Sequence, residues 1–226
     1  MADFDFDISC SDEIRKVCPQ YKGKALLASV VNSAYSEDLW KEIGTASERY
    51  CSDYTVDTIK EWKPIQATRE AYKRCGKDPS RYRPSAESLC RRLLRGLSLY
   101  QVDTLVDLIN LLSFTTGYSI GGFDADKIVG NKLLLGIGQA GEPYEGIGRG
   151  VLNIEGLPVY RDAVGGIGTP TSDHERTKLS VDTHRLLVII NAYDGDENSL
   201  NEATERLREL LVRYAHAENI SECMIE

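Results

Sequence analysis

Hydrophobic and polar positions along the chain alternate between two periods. Phe4, Phe6 and Ile8 interleave with Asp5 and Asp7, which predicts a half-buried strand. Lys24 to Asn32 reads as a buried strand, and Ser36 to Arg49 as a helix. Pro64 in a first turn and Gly76 beyond an end bracket another helix, with Ile65, Tyr72 and Cys75 roughly on one face. Ser85 is expected to cap the next helix, whose apolar face is Leu89, Leu93 and Leu94 and which Gly96 ends. Asp103 caps a second. Val106, Ile109 and Phe114 mark its buried side, and Gly117 ends it. His184 to Asn191, with five consecutive Leu, Val or Ile residues, predicts a central strand. Ser199 and Glu202 form a capping box ahead of the stripe Leu200, Ala203, Leu207, Leu210, Leu211 and Tyr214.

Between these elements the texture changes. Gly130 to Gly168 holds eleven of the nineteen glycines in 39 residues. Short apolar runs (Leu133 to Leu135, Val151-Leu152, Pro158 to Tyr160) sit among them, so this is a set of short strands joined by tight turns rather than a linker. The fold class that follows is α+β, a mixed α/β single domain with a strand-rich core flanked by helices. Residues 1–80 form an N-terminal α/β part, 81–192 the middle, and 193–226 a C-terminal helix and tail.

Composition narrows the function classes. The chain has 226 residues, 42% hydrophobic and 27% charged, with net charge −8. It is long enough to bury a core without disulfide staples. No apolar run approaches the ~20 residues that span a bilayer. The acidic opening Met1 to Asp5 is unlike a secretory signal, so a cytoplasmic protein with no membrane partner is expected. The six cysteines lack any CxxC spacing, and none of His174, His184 and His216 sits near a cysteine pair, so reduced, mostly buried thiols and no metal site are expected.

Two motif matches fail on mechanism. Gly136 to Gly141 fits GxGxxG, but a dinucleotide site needs a helix N-terminus directly after the turn, and Glu142-Pro143 follows. Asp194, Asp196, Asn198 and Glu205 fall at calcium-loop spacing, but Ser199 occupies the place that requires Gly, and a turn into a capped helix fits better. No cofactor is expected.

Charge is unevenly placed. Arg69 to Arg95 carries nine basic residues against Glu70, Asp78 and Glu87, an excess of +6 on an acidic chain. Tyr72 and Tyr82 are interleaved. Such a face suits a single contact with a phosphate backbone, with Arg74, Lys77, Arg81, Arg83, Arg91, Arg92 and Arg95 as the RNA-contact candidates. A solvated pair of helices is the alternative.

Three stretches together point to a family: Arg83 to Leu89 followed by Val102 to Asn110, then Gly117 to Ile128, then Val159 to Asp162 running to Glu175-Arg176-Thr177-Lys178 and Val181-Asp182-Thr183. This order resembles the B3/B4 domain, the editing domain of the phenylalanyl-tRNA synthetase beta chain, and is most similar to stand-alone proteins made of that domain. The resemblance spans roughly residues 80–192. It implies a mixed α/β fold and hydrolysis of an amino acid wrongly esterified to tRNA. Such an ester is already activated, so the site needs a placed water, oxyanion donors and a selective pocket. By this alignment Gly121 stands where the synthetase has its histidine, and Lys178 where it has the glutamate that reads a tyrosine hydroxyl. Tyrosine-specific editing is therefore not implied. Nor is aminoacylation.

The run Asp173-His174-Glu175-Arg176-Thr177-Lys178 is the densest polar cluster. Asp124, His174 and Thr177 are the catalytic candidates. Asn110, Gly121, Gly122, Asp126, Glu155, Arg176 and Lys178 are the ligand-binding candidates. Each has a bland alternative: Asp124 as a helix cap, Gly121-Gly122 as a turn, Glu155 as a surface turn. The expected partners are tRNA, aminoacyl-tRNA or an amino-acid-like small molecule. The competing reading is a non-catalytic module that binds such a molecule or a protein.

Overall fold

The computed structural model describes residues 4–226. The first three residues of the acidic opening segment lie outside the described residues. In chain order the elements are β1 (Asp7–Cys10), α1 (Asp12–Val17), β2 (Lys22–Ser29), α2 (Glu37–Asp53), α3 (Lys63–Arg74), α4 (Ser85–Leu94) and α5 (Thr104–Thr116). Then come β3 (Ser119–Asp124), β4 (Lys132–Ile137), β5 (Glu145–Gly146), β6 (Gly150–Val151), β7 (Pro158–Arg161), β8 (Gly166–Gly168), β9 (Arg185–Ala192), α6 (Glu197–Ala215) and β10 (Glu218–Ile225).

The apolar run Leu186 to Ile190 explains the architecture. All five residues are 0% exposed, which in a strand requires a covered layer on both faces. Leu186, Val188 and Ile190 enter the core beneath the helices, while Leu187 and Ile189 enter a second core. β2 alternates in step: Leu26 and Ala28 face the helices, Ala25 and Leu27 the opposite side. β9 thus sits inside a sheet ordered β10-β2-β9-β3, with antiparallel neighbours throughout. The second core lies against another sheet, ordered β1-β4-β7-β8. Helices α2, α4, α5 and α6 supply the first core. Three layers result, helices on sheet on sheet, as one α+β domain. A buried polar knot crosses between the sheets, where the Tyr21 hydroxyl meets that of Tyr160 at 2.6 Å and donates to Asn191 Oδ1 at 2.8 Å.

Several boundaries differ from the sequence pattern. The first strand starts at Asp7, although Phe6 is buried just before it. The second starts at Lys22 and ends at Ser29, because its pairing with β9 stops there. Helix α2 continues past Arg49 to Asp53. Helix α4 follows Pro84, and no side chain among the described residues caps it. Helix α6 is capped by Asp196 rather than by Ser199: Gly195, at φ +68°, turns the chain so that the Asp196 carboxylate accepts the Ser199 N–H at 3.1 Å. The tail is not a tail but the edge strand β10, paired with β2. Gly136 to Gly141 leads from β4 into a turn, and a Cβ at Gly138 would lie 2.0 Å from the Ile154 carbonyl oxygen. Val151, counted among the apolar runs, is 93% exposed in the small β5-β6 hairpin.

Candidate functional site

A cavity of about 460 Å³ opens between α4, α5 and the free edge of β3. That volume falls within the range of roughly 300–1,000 Å³ typical of small-molecule sites. Helix α5 supplies one wall. Val106, Ile109 and Asn110 lie three and four residues apart and so share a face. The helix is held at its start by Asp103, which accepts the Val106 N–H at 2.9 Å, and at its end by Gly117, at φ +78°. Asp107 braces it from behind, accepting from the Trp40 indole at 2.7 Å. Val106, placed on the buried side by the sequence pattern, is half-buried because it faces this hollow. The floor is β3. A Cβ on Gly122 would lie 2.6 Å from Ile109 Cδ1 and 3.2 Å from Leu179 Cδ1, so the glycine creates the room.

The carboxylate inside the cavity belongs to Asp173. An isolated bridge to Gly168 carries Asp173 alongside the outer strand of the second sheet. Its Oδ2 accepts the Gly122 N–H at 3.2 Å. Its Oδ1 lies in the space left by absent side chains: Cβ atoms on Gly168 and Gly121 would sit 2.8 and 3.5 Å from it. Burial pushes this carboxyl up to about 7, opposed only by the Gly122 hydrogen bond. Lys178 also lines the cavity, but its ammonium is exposed and paired with Glu175 at 2.5 Å. The Asn110 amide lines the same space with no side-chain hydrogen bond among the described residues.

Of the residues singled out from sequence, the structure brings together Asn110, Gly122 and Lys178. Gly121 points the other way, toward Phe123. Asp124 caps the 3-10 turn at Ala125–Lys127, accepts from Thr183 Oγ1 at 3.0 Å and pairs with Lys127 at 2.9 Å. Asp126 is exposed beside Arg185. His174 accepts the Arg176 N–H through Nδ1 at 2.9 Å and sits edge-on to Tyr144, with burial lowering its pKa. Thr177 is fully buried. Arg176 grips Asp162 with two hydrogen bonds of 2.8 and 2.9 Å. Glu155 lines a separate, shallower cleft of about 790 Å³ beside Cys75 and Gly138. That cleft gathers none of the other candidates except Lys77, so the enclosed cavity is the stronger site. Asp173 is not legible from sequence by itself; its position in the polar run 173–178 is the only signal.

The basic segment is partly spent internally. Glu87 is 0% exposed and draws in Arg69 and Arg91 at 2.8 Å each, and Arg83 at 3.7 Å. Lys77 is buried and donates to the carbonyls of Asn153 and Glu155. Arg92 stacks on Tyr100 and donates to the Ser98 carbonyl. Lys73 is exposed and pairs with Glu70 at 2.7 Å; Arg74, Arg81 and Arg95 are the rest of the exposed set, with Arg74 reaching the Val17 carbonyl at 3.3 Å.

The model of the B3/4 domain family matches residues 67–216. The chain belongs to the B3/4 domain family. The match extends beyond the 80–192 stretch of motifs at both ends, taking in most of α3 and all of α6. Among solved structures, an N-terminal fragment of the phenylalanyl-tRNA synthetase beta-subunit from Pyrococcus horikoshii is similar, with a TM-score of 0.55 and 12% identity. The alignment covers 99% of this chain and 55% of that one, so this B3/4 chain spans about half of the fragment. At that identity the likeness is one of fold. No curated protein matches. No helix among the described residues is long and apolar enough to cross a membrane.

Proposed function

We propose that the cavity between α4, α5 and β3 holds the amino-acid part of an aminoacyl-tRNA, and that this B3/4 protein hydrolyses the ester in trans. The observation that carries this reading is an amino-acid-sized hollow that gathers Asn110, Gly122, Asp173 and Lys178. Its walls are largely apolar, while the Asn110 amide offers a donor toward a polarised carbonyl oxygen. The tRNA would approach along α4. Ser85 and Leu89 of that helix face the cavity, and the exposed Arg95 follows its end.

Incubation with a panel of tRNAs esterified to different amino acids tests this. Shortened ester lifetimes for a subset, abolished in Asn110→Ala, support hydrolysis. Unchanged lifetimes with every member remove it.

A second reading is favoured by the placement of Asp124, His174 and Thr177. All three are committed elsewhere and none lines the cavity. In that reading the pocket binds an amino-acid-like molecule without turnover. Saturable binding of amino acids that survives high salt, with no tRNA affinity, would select it. Salt-dependent tRNA affinity would select the first.

A further inference from the structure

The charge inventory of the cavity is lopsided. Among the described residues two ionisable side chains line it, Asp173 and Lys178. Lys178 stands at the exposed rim and is already paired with Glu175. Asp173 stands inside, and its single described side-chain hydrogen bond is to the Gly122 amide. Its Oδ1 has no donor among the described residues. Gly121 and Gly168 clear the space beside Oδ1, and Gly122 clears space within the cavity against Ile109 and Leu179. A carboxylate held in an apolar hollow without a counter-ion is costly, and the natural complement is a cation brought by the ligand.

We propose that Asp173 is the anchor for a ligand ammonium group, so that the site selects compounds bearing a free amine on an apolar body. The rest of the lining agrees with such a ligand. Leu89, Val106, Ile109, Ile120 and Leu179 are aliphatic and offer nothing to an anionic or strongly polar side chain. An α-amino acid ester or amide with an aliphatic or aromatic side chain meets both demands. Its ammonium pairs with the Asp173 carboxylate where that group lines the cavity, and its side chain lies against α5. N-acylated and phosphorylated compounds of similar size do not meet them.

The inference rests on the pocket reading above and is tested separately from it. Calorimetric titration of the 226-residue protein with L-phenylalaninamide and L-leucinamide is compared with titration by their N-acetyl derivatives. Asp173→Asn is titrated with the same four compounds. The expected result is at least tenfold weaker binding of the acetylated forms to the unsubstituted protein. Asp173→Asn loses a similar factor toward the free amines and little toward the acetylated ones. Equal binding of free and acetylated forms overturns the ammonium anchor while leaving the pocket intact. Absence of binding by all four compounds overturns the pocket reading and the anchor with it. The acetylation comparison needs no variant, so it stands even if Asp173→Asn fails to fold.

Discussion

The Asp173 carboxylate accepts the Gly122 N–H at 3.2 Å, and this contact links the exposed edges of the two sheets. β3 is the outer strand of one sheet and β8 of the other. An open strand edge leaves backbone donors without partners, and Asp173 satisfies one through Oδ2 while its second oxygen lies beside Gly121 and Gly168. One side chain thereby both closes the fold and charges the site.

That double role predicts a pH signature in stability. The folded Asp173 carboxyl titrates near 7, against about 3.9 in an unfolded chain. Between those values the folded state holds a proton that the unfolded state has released, so stability falls as pH rises through the window. The facing groups leave that sign unchanged: Tyr144 behind it stays protonated, and Lys178 at the rim is paired with Glu175. Asp173→Asn removes the ionisation and should raise stability at pH 8 by on the order of 1–3 kcal/mol. The gain should disappear near pH 4. Thermal melts across that range check it; a pH-independent difference would contradict it.

Substitution at Glu87 predicts a loss of stability instead. It is buried beneath Arg69 and Arg91 at 2.8 Å each. Glu87→Ala would leave those guanidiniums without their shared partner and should cost about 3–5 kcal/mol. Urea denaturation should show a lower midpoint with little change in slope. By contrast, Arg81→Glu and Arg95→Glu should leave the midpoint nearly unchanged and weaken any tRNA affinity.

The knot between the sheets is a third test. Asn191 accepts from Tyr21 at 2.8 Å and from Tyr160 at 3.1 Å, and donates to the Ser119 carbonyl at 3.1 Å. Asn191→Ala strands these buried groups and should cost roughly 1–3 kcal/mol, read from thermal or urea melts.

Thiol accessibility gives a quick check of packing. All six cysteines are free, and Cys51 is exposed while Cys10, Cys18 and Cys90 are buried. Burial also pushes Cys10 up to about 11, holding it in the unreactive thiol form. An aromatic disulfide reagent should label Cys51 rapidly under native conditions and reach all six only after unfolding.

Legibility in the sequence followed how local each signal was. The run Leu186 to Ile190 declared a central strand because no single-faced strand tolerates five such residues. Asp103 and Gly117 bracketed α5 because caps act within a few residues. β10 went unread because Glu218–Ile225 is an edge strand that is half polar, mostly exposed or half-buried, and without strict alternation. The cap at Asp196 depended on the backbone turn at Gly195. For the site, Gly122, Asn110 and Lys178 came from the family resemblance. Asp173 did not, because its burial arises only when β8 is brought against β3, some 50 residues earlier in the chain. The charge count of Arg69 to Arg95 likewise could not show that one buried glutamate sits beneath three of its arginines.

The most direct measurement is a two-dimensional nitrogen–proton NMR titration of the protein with L-phenylalaninamide. The account predicts saturable shifts of the Gly122 backbone amide and the Asn110 side-chain amide, with the cleft beside Cys75 and Gly138 undisturbed. Shifts confined to that cleft, or none at saturating ligand, would contradict it.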